Sequence, residues 1–123
     1  MARILSIEDD VDLQQVVTYA LAKKGWDVVY AYDGKDGLDQ ARKFIPDLIL
    51  LDMMLPGLNG LEVIKALKAD ELTRNIPVVV MTAYPSDAQF LKSAVLAMGA
   101  VEYLAKPVHI DELVSTIERL LPA

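Results

Sequence analysis

Leu48-Ile49-Leu50-Leu51-Asp52 decides the fold: an unbroken apolar run that ends on a carboxylate. A strand with one solvated face would alternate apolar and polar residues. A short run that is apolar throughout belongs instead to a strand covered on both faces, the mark of a central strand in a parallel sheet. Val78-Val79-Val80-Met81 repeats the pattern and leads into Thr82. Two such strands require helices on both sides of one sheet.

Working outward, the chain supplies them. Ile4-Leu5-Ser6-Ile7 reads as a first strand and runs into Glu8-Asp9-Asp10. Asp10 is placed to cap a helix from Val11 to Lys24, with Leu13, Val17, Ala20 and Leu21 on one face and Gly25 as its stop. Val28 to Ala31 is a second strand and Gly34 to Phe44 a second helix. Leu61 to Ala69 carries a third helix. Ser86-Asp87-Ala88-Gln89 fits a capping box and opens a fourth, which stops at Gly99. Val101 to Ala105 is a fifth strand. Ile110 to Leu121 is a fifth helix, with Asp111 and Glu112 in its first turn, where negative charge meets the positive end of the helix dipole. The expected fold is α/β, a doubly wound parallel sheet of five strands.

The 123 residues fit one compact domain, residues 1–123, and 54% of them are hydrophobic, enough for a core. There is no cysteine, which excludes disulfides and thiolate metal sites and fits a cytoplasmic location. The net charge of −6 argues against direct nucleic-acid binding by this chain. No apolar run is long enough to span a membrane, and Met1-Ala2-Arg3 leads directly into a strand rather than a signal peptide.

In doubly wound sheets the ligand site lies beyond the carboxyl ends of the strands. Glu8, Asp9 and Asp10 follow the first strand, Asp52 the third, Thr82 the fourth and Lys106 the fifth. Any one of them could simply begin a solvated loop. Together they bring carboxylates, a hydroxyl and an ammonium to one sheet edge. Crowded carboxylates repel, and a hard divalent cation relieves the repulsion. With oxygen ligands only, Mg²⁺ is the expected ion. An ionised carboxylate can attack phosphorus to give an aspartyl phosphate, and a lysine can neutralise charge on the transferring group. The loop Asp52-Met53-Met54-Leu55-Pro56-Gly57-Leu58-Asn59-Gly60 is rich in turn formers, and the backbone carbonyl of Met54 is the candidate further ligand. Three readings stand for Gly60: a positive φ, close packing, or turn flexibility alone. Two stand for Pro107: a cis Lys106-Pro107 bond, or a simple strand stop.

These residues resemble the response-regulator receiver domains of two-component signalling, a superfamily that includes the chemotaxis regulators. The resemblance covers the whole chain. It rests on Ile4 to Asp10, Leu50 to Gly60, Met81-Thr82-Ala83 and Tyr103-Leu104-Ala105-Lys106-Pro107, in order and at family-like spacing. It implies a flavodoxin-like three-layer sandwich with strand order 2-1-3-4-5. It implies that Asp52 is the phosphoacceptor and that Glu8, Asp9, Asp52 and the Met54 carbonyl hold Mg²⁺, with Mn²⁺ as a substitute. It makes Thr82 the switch hydroxyl, Lys106 the phosphate-neutralising lysine, Tyr103 the switch aromatic on the outer face of the fifth strand, and Pro107 the cis-proline. The first acid is Glu where the family more often has Asp. Implied partners are a histidine kinase or histidine phosphotransfer protein, a downstream protein or effector domain, and a second copy through the fourth helix, fifth strand and fifth helix. The function implied is a signalling switch rather than a turnover enzyme.

A rival reading is a phosphatase of the haloacid-dehalogenase type, which also uses Asp, Thr, Lys and Mg²⁺. Such enzymes need a second Asp two residues beyond the nucleophile, and here that position is Met54. An interaction module with a dead site is disfavoured by the intact residue set. His109, the only histidine, reads as a solvated loop residue, and Trp26 as packing. Leu96 is expected to project from the fourth helix as part of a partner face.

Overall fold

The computed structural model describes residues 2–55, 57–83 and 88–121. Its elements run β1 (Arg3–Ile7), α1 (Val11–Lys23), β2 (Asp27–Ala31), α2 (Gly34–Phe44), β3 (Leu48–Asp52), α3 (Gly60–Ala69), β4 (Val78–Thr82), α4 (Ala88–Ala97), β5 (Glu102–Ala105) and α5 (Ile110–Leu120). The strands form one parallel sheet in the order β2-β1-β3-β4-β5. The predicted fold class and strand order are therefore those observed.

The all-apolar strands sit where burial on both faces demands them. Every residue of β3 and β4 is buried, whereas β2 at the edge exposes Asp27 and Tyr30. Alternate side chains feed two cores. On one face Leu5, Ile7, Ile49, Leu51, Val78 and Val80 pack with Ala41 of α2, Val63, Ile64 and Leu67 of α3, and Val95 of α4. On the other, Ile4, Leu48, Leu50, Val79 and Met81 pack with Val17 and Leu21 of α1 and Leu113, Val114 and Ile117 of α5. Each fully buried aliphatic side chain contributes roughly 1.5–3 kcal/mol.

Local chemistry sets the helix starts. Asp10 accepts from the Leu13 N–H and Asp33 from the Asp36 N–H. Asn59 and Glu62 form a reciprocal capping box at the start of α3, holding its first turn directly beside the end of β3. Residues Ser86 and Asp87 of the expected fourth-helix capping box lie outside the described residues. No helix among those described is long and apolar enough to cross a membrane.

Two strand ends differ from expectation. Asp52 and Thr82 are the last residues of β3 and β4, not the first residues of the following loops. The ladders extend past the apolar runs: Asp52 is in register with Met81 and Thr82 with Ala105. The Met53 N–H donates to Met81 O at 3.1 Å and the Lys106 N–H to Thr82 O at 2.7 Å. Both side chains thus stand on paired backbone.

Candidate functional site

Parallel pairing brings the ends of β1, β3, β4 and β5 to one edge. Glu8 follows β1 directly, and its N–H continues the ladder by donating to Ala31 O at 3.0 Å. Its side chain is fully buried, and Asp52 is 2% exposed, while Asp9 faces solvent. One carboxylate oxygen from each of Glu8, Asp9 and Asp52 lies within 4.8 Å of the others. Lys106 reaches this cluster from beyond β5. Its Nζ donates to Glu8 Oε1 at 2.7 Å and sits 3.2 Å from Asp52 Oδ2. The second oxygens are held by backbone: Glu8 Oε2 accepts from the Asp10 N–H and Asp52 Oδ1 from the Met54 N–H, both at 3.1 Å. Each buried carboxylate is thus tied once to the ammonium and once to an N–H two residues along the chain.

Burial pushes the Glu8 carboxyl up from 4.5 to about 7. Hydrogen bonds from Lys106 and the Asp10 N–H oppose that shift, and the charge of Asp52 adds to it. Burial by itself would lower Lys106; its hydrogen bond with Glu8 and the charges of Asp52 and Glu8 outweigh that, and the net shift is upward. Three carboxylates therefore face one ammonium in a mostly buried site, which is short of positive charge. The donor set is oxygen only, the chemistry of a hard cation such as Mg²⁺. Because a carboxylate must lose its proton to bind metal, Mg²⁺ affinity should rise as pH climbs through about 7, the Glu8 value, and then level off. Calorimetric titration from about pH 6 to about pH 8.5 checks this. Affinity that falls or stays flat over that window contradicts it.

Thr82 and Tyr103 complete the surroundings. The Thr82 Oγ1 and the Tyr103 hydroxyl are both buried and have no hydrogen-bond partner among the described residues. A buried hydroxyl at the end of β4, beside β3, is what an incoming anionic oxygen would satisfy. Tyr103 is half-buried and its ring packs against the core cluster that includes Val95 and Ala100, so its hydroxyl is turned inward rather than lying on an outer face. Burial raises its pKa. The Lys106-Pro107 bond is cis. Gly60 is not among the glycines with positive φ, which are Gly25, Gly57 and Gly99. A Cβ on Gly60 would lie 2.6 Å from both the Cα and the Sδ of Met53. Close packing is therefore its reason. The Met54 side chain is 51% exposed, and its N–H rather than its side chain meets Asp52.

Sequence reasoning passed over two features. The Asn59–Glu62 capping box was signalled by its Asn-x-x-Glu spacing. Gln14, buried in α1 and bonded to the ends of β1 and β2, gave no signal beyond its place on the inner helical face.

A family model described as the response regulator receiver domain matches residues 4–118. The phosphate regulon transcriptional regulatory protein PhoB of Klebsiella pneumoniae is 40% identical over 119 residues, covering 97% of this chain and 51% of that protein. Response regulator ArlR of Staphylococcus saprophyticus is 40% identical over 121 residues, covering 98% of this chain and 53% of that protein. The chain thus spans about half the length of these curated relatives. Among solved structures, chemotaxis protein CheY4 of Vibrio cholerae superposes with a TM-score of 0.90 at 30% identity, covering 98% of this chain and 99% of that one. The Francisella response regulator 1452 receiver domain gives 0.89 at 31% identity, covering 98% of this chain and 96% of that one.

Proposed function

The chain belongs to the response regulator receiver domains of two-component systems, and from that premise we propose that Asp52 accepts a phosphoryl group with Mg²⁺ and so switches the surface offered to partners. The observation that carries this reading is the single ammonium of Lys106 shared between buried Asp52 and buried Glu8. It leaves the carboxylate cluster with room for more positive charge and places a cation beside the acceptor.

Glu8, Asp9 and Asp52 would hold the Mg²⁺, with the Met54 carbonyl as a further ligand and Mn²⁺ as a substitute. The ion supplies charge neutralisation for the transferring phosphoryl oxygens. The chain's own residues do the rest. An Asp52 carboxylate oxygen attacks phosphorus; the bond from phosphorus to the donor breaks, and the donor leaves with that electron pair. The donor is a phosphohistidine of a histidine kinase or phosphotransfer protein. Lys106 leans its charge toward the phosphoryl oxygens, and Thr82 donates its free hydroxyl to one of them. That new hydrogen bond draws the end of β4 and biases the Tyr103 side chain between two placements, a population shift read on α4, β5 and α5. Leu96 of α4 is 38% exposed and belongs to that face, which would bind a downstream protein, an effector domain or a second copy. We place this activity in the cytoplasm, in one receiver domain over residues 1–123. Met54, two residues past the acceptor, offers no base to activate water, which favours slow self-dephosphorylation and a persistent signal over the phosphatase alternative.

The test is incubation with acetyl phosphate. A single phosphoryl adduct in the intact mass, dependent on Mg²⁺ and removed by hydroxylamine, is expected. Absence of an adduct with Mg²⁺ present would overturn the reading.

A further inference from the structure

The amide of Gln14 is fully spent. Its Oε1 accepts from the Ser6 hydroxyl at 2.6 Å, and its Nε2 faces Ser6 O at 3.0 Å, Ala31 O at 3.0 Å and Glu8 O at 3.4 Å. Carbonyls only accept, so the nitrogen end must face them, and the amide has one orientation consistent with its surroundings. Gln14 is 1% exposed and Ser6 is fully buried. A glutamine buried against an otherwise apolar helix face is costly unless every polar atom is paired, and here α1 commits one to the carboxyl ends of β1 and β2.

The three carbonyls mark where those strands leave the sheet. Ala31 O also accepts the Glu8 N–H at 3.0 Å. The two Gln14 N–H groups go to the nearer carbonyls, Ser6 O and Ala31 O, with Glu8 O farther off at 3.4 Å, so the Glu8 N–H and the Gln14 amide converge on Ala31 O and the end of β1 is held to the end of β2. The neighbouring Asp9 follows on the same pinned backbone. On the proposal that Glu8 and Asp9 hold Mg²⁺, the position of Gln14 acquires a consequence for the site that it never touches.

We propose that Gln14 is a positioning residue, which fixes the end of β1 so that the Glu8 and Asp9 carboxylates meet Asp52 at metal-binding distance. Residues that orient ligands without touching the metal typically change its affinity by 10–100-fold when removed. Loop-borne ligands are only as well placed as the backbone beneath them. Here the Gln14 amide ties the end of β1 to the end of β2 beside the final rung, the Glu8 N–H to Ala31 O.

The experiment measures Mg²⁺ binding by calorimetry and Mn²⁺ binding by electron paramagnetic resonance, with no phosphodonor present. Gln14→Met keeps the length and volume of the side chain but none of its hydrogen bonds. Its Mg²⁺ Kd should rise about 10-fold. Val17→Ala opens a cavity on the same face of α1 and lowers stability without touching the amide, so its Kd should match wild type. Ser6→Ala, which frees only the Oε1 end and leaves the Nε2 contacts, should raise Kd by about 3-fold, less than the usual 10–100-fold for loss of a whole orienting residue. It also serves if Gln14→Met does not fold. Unchanged Kd in Gln14→Met or, where that variant is unfolded, in Ser6→Ala would overturn the proposal. So would an equal rise in Val17→Ala, since the effect would then follow stability alone. Wild type that binds neither ion would sink the metal-site reading itself, a failure distinct from a wild type that binds and a Gln14→Met that binds equally well.

Discussion

Replacing Lys106 with methionine should cost the metal-free protein about 3 kcal/mol of stability at about pH 8, and much less at about pH 5.5. Lys106 Nζ is the one cation within 4.0 Å of either Glu8 or Asp52 among the described residues, and both carboxylates are shut away from water. Methionine fills the volume of the lysine stem but leaves two buried negative charges uncompensated, and a broken buried ion pair typically costs about 3–5 kcal/mol. The site has one escape, a proton on Glu8. Its folded-state pKa is already raised to about 7, and losing the ammonium that opposes this raises it further. A carboxyl whose folded pKa is raised gives stability that is full below its unfolded value, 4.5, and is lost as pH rises through the folded value. The variant should therefore approach wild type in acid and diverge from it in base. Saturating Mg²⁺ should restore part of the loss by supplying the missing charge. Urea unfolding at both pH values measures it. A deficit that is equal at the two pH values, or larger in acid, would show that Lys106 acts by packing rather than by charge.

Gly60→Ala should destabilise the protein by roughly 3 kcal/mol, despite improving helix propensity by up to about 1 kcal/mol. The new methyl group would lie 2.6 Å from the Met53 Cα, and 3.2 Å from Asp52 O. A flexible side-chain tip could move aside, but Met53 Cα is backbone, tied to Met81 O through the Met53 N–H and to the Gly60 N–H through its own carbonyl. Relief has to come from shifting the start of α3 away from the end of β3, which disturbs the backbone carrying Asp52. Gly57 is the control. Its φ of 76° is unfavourable for alanine, but a Cβ there meets nothing within 4 Å. Gly57→Ala should cost only about 1–2 kcal/mol. Urea midpoints that reverse this ranking would remove close packing as the reason for glycine at position 60.

Much of the architecture was legible because burial on two faces of a sheet leaves short strands that are apolar at every position. Leu48 to Leu51 and Val78 to Met81 identify the middle of the sheet, and the caps and glycines around them bound the helices. The ends were less legible. Asp52 and Thr82 look like loop residues because a polar side chain after an apolar run usually leaves the sheet, and only the register with Met81 and Ala105 keeps them in it. The grouping of Glu8, Asp9, Asp52 and Lys106 followed from parallel topology, since every strand end of such a sheet arrives at one edge. Their division of labour did not. That Glu8 is buried and Asp9 exposed depends on tertiary contacts with no local signature. Gln14 was hidden for a similar reason: the apolar stripe of α1 reads as Leu13, Val17, Ala20 and Leu21, and a polar residue in it looks like an interruption. Tyr103 could be assigned to a strand, but whether its hydroxyl turns inward is decided by the packing of the side chain against the core.

The central claim is that Asp52 itself carries the phosphoryl group, and the location of the adduct tests it most directly. After treatment with acetyl phosphate and Mg²⁺, borohydride reduces an aspartyl phosphate to homoserine, and peptide mapping then finds the altered residue. The account predicts homoserine at position 52 alone, and neither adduct nor homoserine in Asp52→Asn. A reduced residue elsewhere, or an adduct of undiminished yield in Asp52→Asn, would contradict it.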